Sequence, residues 1–495
     1  MLVIARKNDE AISFRNRLPR CARNDVQKLS LIDANSASHF CNLRFMNNIF
    51  VIGAGRSATT LIGYFLKHAE EQDWHLTVGD ISAELCENKI AGHPRGRAIA
   101  FDVFNEAQRN EEISKADIIV SMLPASMHIE VAKDCVKLGK HLATASYISE
   151  EMKALDEAAK AKNLTLLNET GLDPGIDHLS AMKLIDEIRN EGGIIEHFES
   201  FTGGLIADES DDNPWHYKFT WNPRNVVLAS QGGAVKFLHN GKYKYIPYNR
   251  VFRRTERIKV EGCGEFEGYA NRDSLSYREV YGLEDVKTIY RGTLRRPGFS
   301  RSWNAFVHLG LTDDSYVMED SETMTHREFL NSFLPFSLTD NVELKLRASL
   351  KLDQDDQLME KIIWLGLFEN TVIGLKNATP AQILQHILEK KWSMKPDDKD
   401  MIVMWHKIGF VKDGQKFVTE SSMIVEGDDQ DNTAMAKTVG LPLAISTRMI
   451  LENRITERGV LLPLSKAIYQ PVLEELNKNG ISFKEKTYQV EEFTT

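Results

Sequence analysis

Ile49-Phe50-Val51-Ile52-Gly53-Ala54-Gly55-Arg56-Ser57-Ala58 is the stretch that decides the fold. Four apolar, strand-favouring residues run into a Gly-x-Gly-x-x-Ala turn, and residues 61–70 then carry apolar side chains at helical spacing. A strand, a glycine turn and a helix in that order open a doubly wound sheet that holds a dinucleotide. Gly53 permits the tight turn, Gly55 lets a pyrophosphate approach the backbone, and Ala58 lets the helix pack on the strand. Ala54, Arg56 and Ser57 complete the phosphate loop. Strand-like runs recur at 75–78, 98–103, 118–123 and 141–145, each after a helix-compatible segment, which predicts a Rossmann-type parallel sheet. Asp80 closes the second strand, where this fold presents a carboxylate to the adenosine ribose. It favours NAD, with NADP the alternative, because a carboxylate repels a 2′-phosphate. Asp102 beyond the third strand and Met122-Leu123 beyond the fourth lie where the adenine and the nicotinamide ribose would be reached.

Composition bounds the rest. A chain of 495 residues with 42% apolar and 27% charged residues has the length and core material for two or three domains. A formal net charge of −10 argues against a nucleic-acid surface, which needs a basic face, and favours a small-molecule ligand. Cys21, Cys41, Cys86, Cys135 and Cys263 are scattered, with no closely spaced Cys/His set, so neither a disulfide framework nor a metal site is expected. No apolar run reaches membrane-helix length, and a cytoplasmic protein is the expectation. Residues 1–45 are basic and aperiodic, and Met46 stands directly before the first strand. They are therefore read as an extension that is not part of the fold.

The chain is expected to be α/β, with a Rossmann-type parallel sheet domain, a mixed α/β substrate domain and a smaller helical domain. Residues 46–172 form the dinucleotide-binding domain, 173–325 and about 396–432 the substrate domain, and 326–395 the helical domain. Residues 401–425 read as a hairpin around Lys412-Asp413-Gly414-Gln415. The tail after about residue 433 reads as helices that pack back on the first domain.

A second set of motifs is more specific. Asn168-Glu169-Thr170-Gly171-Leu172-Asp173-Pro174-Gly175-Ile176-Asp177-His178 resembles a segment of the glutamate-forming saccharopine dehydrogenase (saccharopine reductase) family. Thr144-Ala145-Ser146-Tyr147, Asn213-Pro214, Tyr217-Lys218-Phe219-Thr220-Trp221, Asn271-Arg272-Asp273-Ser274, Arg291-Gly292-Thr293-Leu294-Arg295 and Ala434-Met435-Ala436-Lys437-Thr438-Val439-Gly440 match it further, in the same order. The resemblance runs from about Met46 to near the C-terminus. It departs at Thr202, where many members have cysteine, and at Ala125, where the family has tyrosine.

The resemblance implies oxidation of saccharopine with NAD(P)⁺ and water to glutamate and 2-aminoadipate 6-semialdehyde, or the reverse, in lysine metabolism. That reaction removes a proton from a secondary amine and a hydride from the adjacent carbon, and three substrate carboxylates need cations. Arg272 and Arg295 are the expected carboxylate partners, since guanidinium binds carboxylate bidentately. Ser146, Tyr147, Asp173, Thr293 and Leu294 are the other expected substrate contacts. Asp173 and Tyr147 are the acid/base candidates, with His178 an alternative that otherwise braces the helix it opens. Leu172 and Trp221 are placed near the cofactor by the same analogy. Two other readings remain: a related dehydrogenase of a carboxyalkyl amine such as carboxynorspermidine, and a non-catalytic NAD-binding sensor. A homodimer is the expected assembly.

Overall fold

Asn47–Ile52 (β1) enters a parallel sheet as a run whose last four residues are buried, as a strand covered on both faces requires. The structure, a computed structural model, describes residues 47–229, 231, 233–353 and 355–493. The expected extension at 1–45, with Cys21 and Cys41, lies outside the described residues. Five strands follow β1 in the same sheet: Trp74–Asp80 (β2), Gly96–Ala100 (β3), Ile118–Ser121 (β4), His141–Thr144 (β5) and Thr165–Leu167 (β6). Helices alternate with them, among them Thr59–His68, Ala83–Ile90, Glu106–Lys115 and His128–Leu138.

A second sheet of nine strands follows: Ile194–Ile206 (β7), Val235–His239 (β8), Lys242–Ile246 (β9), Thr255–Val260 (β10), Gly264–Ala270 (β11), Thr288–Arg295 (β12), Asp400–Lys412 (β13), Gln415–Glu426 (β14) and Phe483–Val490 (β16). Gly459–Leu461 (β15) returns to the first sheet, whose order is β15-β6-β5-β4-β1-β2-β3, every neighbouring pair parallel. The second sheet runs β10-β11-β12-β7-β13-β14-β16, with β8 beside β12 and β9 beside β8. Helix Ile176–Asn190 joins the two sheets in sequence and buries its apolar face against β7, β12 and β13. The helical segment consists of His326–Ser332, Val342–Leu350, Gln357–Trp364 and Pro380–Trp392, packed in the largest apolar cluster.

The tail differs from its reading. Besides helices Ala434–Leu451 and Lys466–Lys478, it supplies β15 to the first sheet and β16 to the second. The helix Ala434–Leu451 packs on Thr59–His68, the helix behind the glycine turn. No helix among the described residues is long and apolar enough to cross a membrane.

Candidate active site

Because the strands of the first sheet are parallel, their C-terminal ends share one edge, and the glycine turn lies at that edge where strand order reverses between β1 and β4. Gly53 has φ +106, and a Cβ there would meet the Met122 carbonyl oxygen at 2.9 Å, so the turn packs against the residue just beyond β4 with no room for a side chain. In front of Gly55 a Cβ would meet nothing within 4 Å, which leaves the open approach a pyrophosphate needs. Arg56–Ala58 forms a 3₁₀ turn leading into Thr59–His68, with Arg56 exposed, Ser57 half-buried and Ala58 buried in the core. Neither the 3₁₀ turn nor the helix carries an acidic residue in its first turn, so no fixed negative charge opposes a phosphate there. Asp80 Oδ2 accepts the Ala54 N–H at 2.8 Å and Oδ1 accepts the Ser82 N–H at 3.3 Å, which fixes a carboxylate beside the phosphate loop. Asp102 is exposed, and its Oδ1 accepts the Phe104 N–H at 2.9 Å. Ile81 and Phe104, just beyond β2 and β3, are large apolar side chains left exposed at this edge, where a flat base would find cover. Met122 and Leu123 are half-buried beyond β4. The residues present therefore fit a dinucleotide.

The same edge continues past β5 and β6 into the second set of motifs. The Ser146 N–H donates to Thr144 Oγ1 at 3.2 Å, which shapes the turn that presents Tyr147. Tyr147 is 37% exposed, and its hydroxyl donates to Asp173 Oδ1 at 3.4 Å. Burial and the Asp173 charge push that hydroxyl well above the usual tyrosine range, so it stays a donor. Asp173 Oδ1 also accepts from Arg291 Nη2 at 2.6 Å, and the same Nη2 lies 2.6 Å from Asp177 Oδ2. Asp173 Oδ2 has no protein partner among the described residues, so one carboxylate oxygen is anchored and the other is available. Burial raises the Asp173 carboxyl above its ordinary range, against the pull of Arg291.

From the second sheet, Arg291, Thr293 and Arg295 point to one face of β12 by strand alternation, spread over about 13 Å at the usual rise. Arg295 is 5% exposed, ringed by Tyr217, Phe299 and Tyr269 at 5.2, 5.4 and 5.9 Å from their centroids, and its Nη1 donates to the Leu294 carbonyl at 2.9 Å. Among the described residues its Nε has no partner and no carboxylate forms an ion pair with it. A buried guanidinium without a counter-ion is costly and calls for an anion. Thr202 lies opposite Thr293 in register, and its buried Oγ1 is also unpartnered. Arg272, exposed and held at φ +45, carries its guanidinium 5.5 Å from the Tyr147 ring. Strain of that kind in a non-glycine residue is often kept for function.

The remaining expected residues sit further back. His178 is fully buried, with Nε2 2.7 Å from Glu169 Oε2 and Nδ1 2.9 Å from the Tyr281 hydroxyl. Burial pulls its imidazole down, but the Asp177 charge and the Glu169 hydrogen bond outweigh it and leave it raised. Glu169 Oε1 in turn accepts the Ile148 N–H, next to Tyr147, at 2.9 Å. His178 thus braces the turn. Leu294 buries its side chain in the core and presents only backbone, Leu172 is buried against the first domain's core, and Trp221 is half-buried between the two largest apolar clusters. Arg291 and Asp177 were not singled out from sequence; alternation along β12 marks Arg291 as facing the same way as Arg295.

Residues 49–167 match the family model described as the saccharopine dehydrogenase NADP binding domain, and residues 171–481 the model of the saccharopine dehydrogenase C-terminal domain. The chain is 32% identical over 450 residues to saccharopine dehydrogenase [NADP(+), L-glutamate-forming] of Schizosaccharomyces pombe, covering 89% of this chain and 99% of that one. It is 33% identical over 445 residues to the alpha-aminoadipic semialdehyde synthase of Arabidopsis thaliana, covering 86% of this chain and 42% of that protein. Its fold matches apo saccharopine dehydrogenase (L-Glu forming) from Saccharomyces cerevisiae with a TM-score of 0.81 and 30% identity, covering 89% of this chain and 100% of the other. The names that specify a cofactor specify NADP, so the preference for NAD expected from Asp80 gains no support from them.

Proposed function

The chain belongs to the saccharopine dehydrogenase family, and from that premise we propose that it oxidises saccharopine with NAD(P)⁺ and water to L-glutamate and 2-aminoadipate 6-semialdehyde, or runs the reverse. The bound nicotinamide supplies the hydride acceptor. The chain's own residues have three tasks. They hold the substrate carboxylates, accept the proton of the secondary amine, and move protons while water adds to the imine carbon and the carbon–nitrogen bond breaks. Arg295 and Arg272 suit the first task. Asp173, through its available Oδ2, suits the second, with Tyr147 donating to the opposite oxygen so that the carboxylate stays aimed. Thr293 and Thr202 supply hydroxyls along the same face, and Ser146 offers one from the turn after β5. The observation that carries this reading is the buried Arg295 guanidinium, enclosed by three aromatic rings without a counter-ion among the described residues.

Relatives' names favour NADP and the Asp80 carboxylate favours NAD; both nucleotides belong in the assay. Cys86, Cys135 and Cys263 are free thiols, which suits the reducing cytoplasm, and a homodimer follows the commonest pattern of enzyme assembly. The test is saccharopine and dinucleotide binding measured separately for Arg295→Ala and Arg272→Ala. Saccharopine affinity should fall by about 2–5 kcal/mol where a charge-assisted contact is lost, with dinucleotide affinity unchanged. Lysine should restore it only partly, because a point charge lacks the planar fork. Unchanged saccharopine affinity in both folded variants would reject the assignment.

A further inference from the structure

Asp173 lies where the first sheet's edge meets the second sheet, and the cation that holds it comes from the far side. Arg291 is 5% exposed, its guanidinium carbon stands 3.7 Å over the Tyr277 ring, and one nitrogen, Nη2, reaches both Asp173 Oδ1 and Asp177 Oδ2 at 2.6 Å. Asp177 is pinned in turn, because its Oδ1 accepts the Gly175 N–H at 2.6 Å. Arg291 therefore sits on a fixed aromatic plate between two carboxylates, only one of which is exposed enough to meet a ligand.

We infer that Arg291 is a positioning residue for the proposed reaction: by clamping Asp173 Oδ1 it favours the carboxylate form of Asp173 against burial and turns Oδ2 toward the substrate amine, while Asp177 limits how strongly it does so. This inference rests on the reading of Asp173 as the group that meets the amine. Three observations separate it from a plain structural ion pair. The clamp leaves the second Asp173 oxygen without a protein partner among the described residues. The Tyr147 hydroxyl converges on the clamped oxygen from the other domain. Arg291 also shares its strand face with Thr293 and Arg295.

The groups facing Asp173 all bear on its charge. Arg291 on β12 and Arg272 on the loop after β11 are cationic. Asp177 on helix Ile176–Asn190 is anionic, with His178 beside it, hydrogen-bonded to Glu169 and raised above the ordinary imidazole range. His406 on β13 is held down to about 3 by burial and the nearby Arg291, and so is neutral. Tyr147, Tyr277 and Tyr281 are pushed up by burial and stay protonated. Burial is the largest influence on Asp173 and raises it; the Arg291 charge pulls it down and the Asp177 charge pushes it up. Removing Arg291 should thus move the Asp173 titration to higher pH, and neutralising Asp177 should move it to lower pH.

The experiment follows that titration directly, in the protein without substrate, by the side-chain carboxyl signal of Asp173 in ¹³C-aspartate-labelled protein, assigned by its loss in Asp173→Asn. Saccharopine kcat/KM against pH is measured in parallel for the wild type, Arg291→Gln, Arg291→Lys and Asp177→Asn. The Asp173 titration and the acid limb of the rate profile should both move up by roughly 1–3 pH units in Arg291→Gln. The shift should be smaller in Arg291→Lys and of opposite sign in Asp177→Asn, with dinucleotide affinity constant throughout. A uniform loss of rate at every pH, or an Asp173 titration unmoved in Arg291→Lys and Asp177→Asn, overturns the inference. A wild type that never turns over saccharopine, yet shows the expected Asp173 shifts, rejects the functional reading and leaves the clamp standing.

Discussion

At the scale of single residues, two backbone N–H groups, of Ala54 and Ser82, hold the Asp80 carboxylate at the end of β2. Its charge is therefore fixed beside the place proposed for the ribose, where a 2′-phosphate would approach it with like sign. Replacing Asp80 by Ala should move the ratio of specificity constants toward NADP by on the order of tenfold, about 1.4 kcal/mol. Initial rates with each nucleotide check this, and an unchanged ratio in a folded variant would remove Asp80 from cofactor choice. Such a residue is legible in sequence because its neighbours are local: strand, turn and acid follow one another in a short unit. Arg272 and Arg295 were legible through their motifs. Arg291 stood in the same motif as Arg295 and was passed over, because the partner that gives it meaning, Asp173, lies 118 residues away in the chain. Alternation along a strand tells which way a side chain points and not what it will meet there.

Among the elements, the β13–β14 hairpin was plain in sequence, since Asp413 and Gly414 adopt φ +52 and +75, the positive angles a tight hairpin demands and those residues accept. The strands β6 and β15 were not, because three residues are too few to show a period. Strand β16 hides for another reason: Phe483–Val490 is mostly exposed and polar, and reads as strand only once β14 stands beside it. The packing of helix Ala434–Leu451 on helix Thr59–His68 also has an element-level consequence. A Cβ at Gly440 would lie 2.8 Å from the Leu61 backbone nitrogen. Helix propensity alone favours alanine over glycine by about 1 kcal/mol, but overpacking against a backbone costs about 1–3 kcal/mol. Gly440→Ala should lower the melting temperature and weaken dinucleotide binding, because the displaced helix begins at the phosphate loop. A melting temperature that rises would show that the helices separate freely and that propensity decides.

Over the whole molecule, the doubly wound sheet and a mixed second sheet with attached helices were readable from the alternation of apolar runs and from the family motifs. Less readable was how the tail binds them: after helix Ala434–Leu451 the chain gives β15 to one sheet and β16 to the other. Each sheet alone would lack a strand, so the edge that presents Gly53, Asp80 and Tyr147 is built together with the face that presents Arg291 and Arg295. This arrangement suits a reaction in which a dinucleotide from one side meets a polycarboxylate amine from the other. Saccharopine has two carbons on its secondary nitrogen from which a hydride can leave, and the choice decides the products. Loss from the lysine-derived methylene gives glutamate and the semialdehyde; loss from the glutamate-derived carbon gives lysine and a 2-oxo acid. The most direct measurement is therefore to incubate the protein with saccharopine and NAD(P)⁺ and quantify amino acids and reduced cofactor together. One L-glutamate per reduced cofactor, with no lysine, is the predicted result; lysine as the product, or no reduced cofactor from protein that binds the dinucleotide, would contradict it.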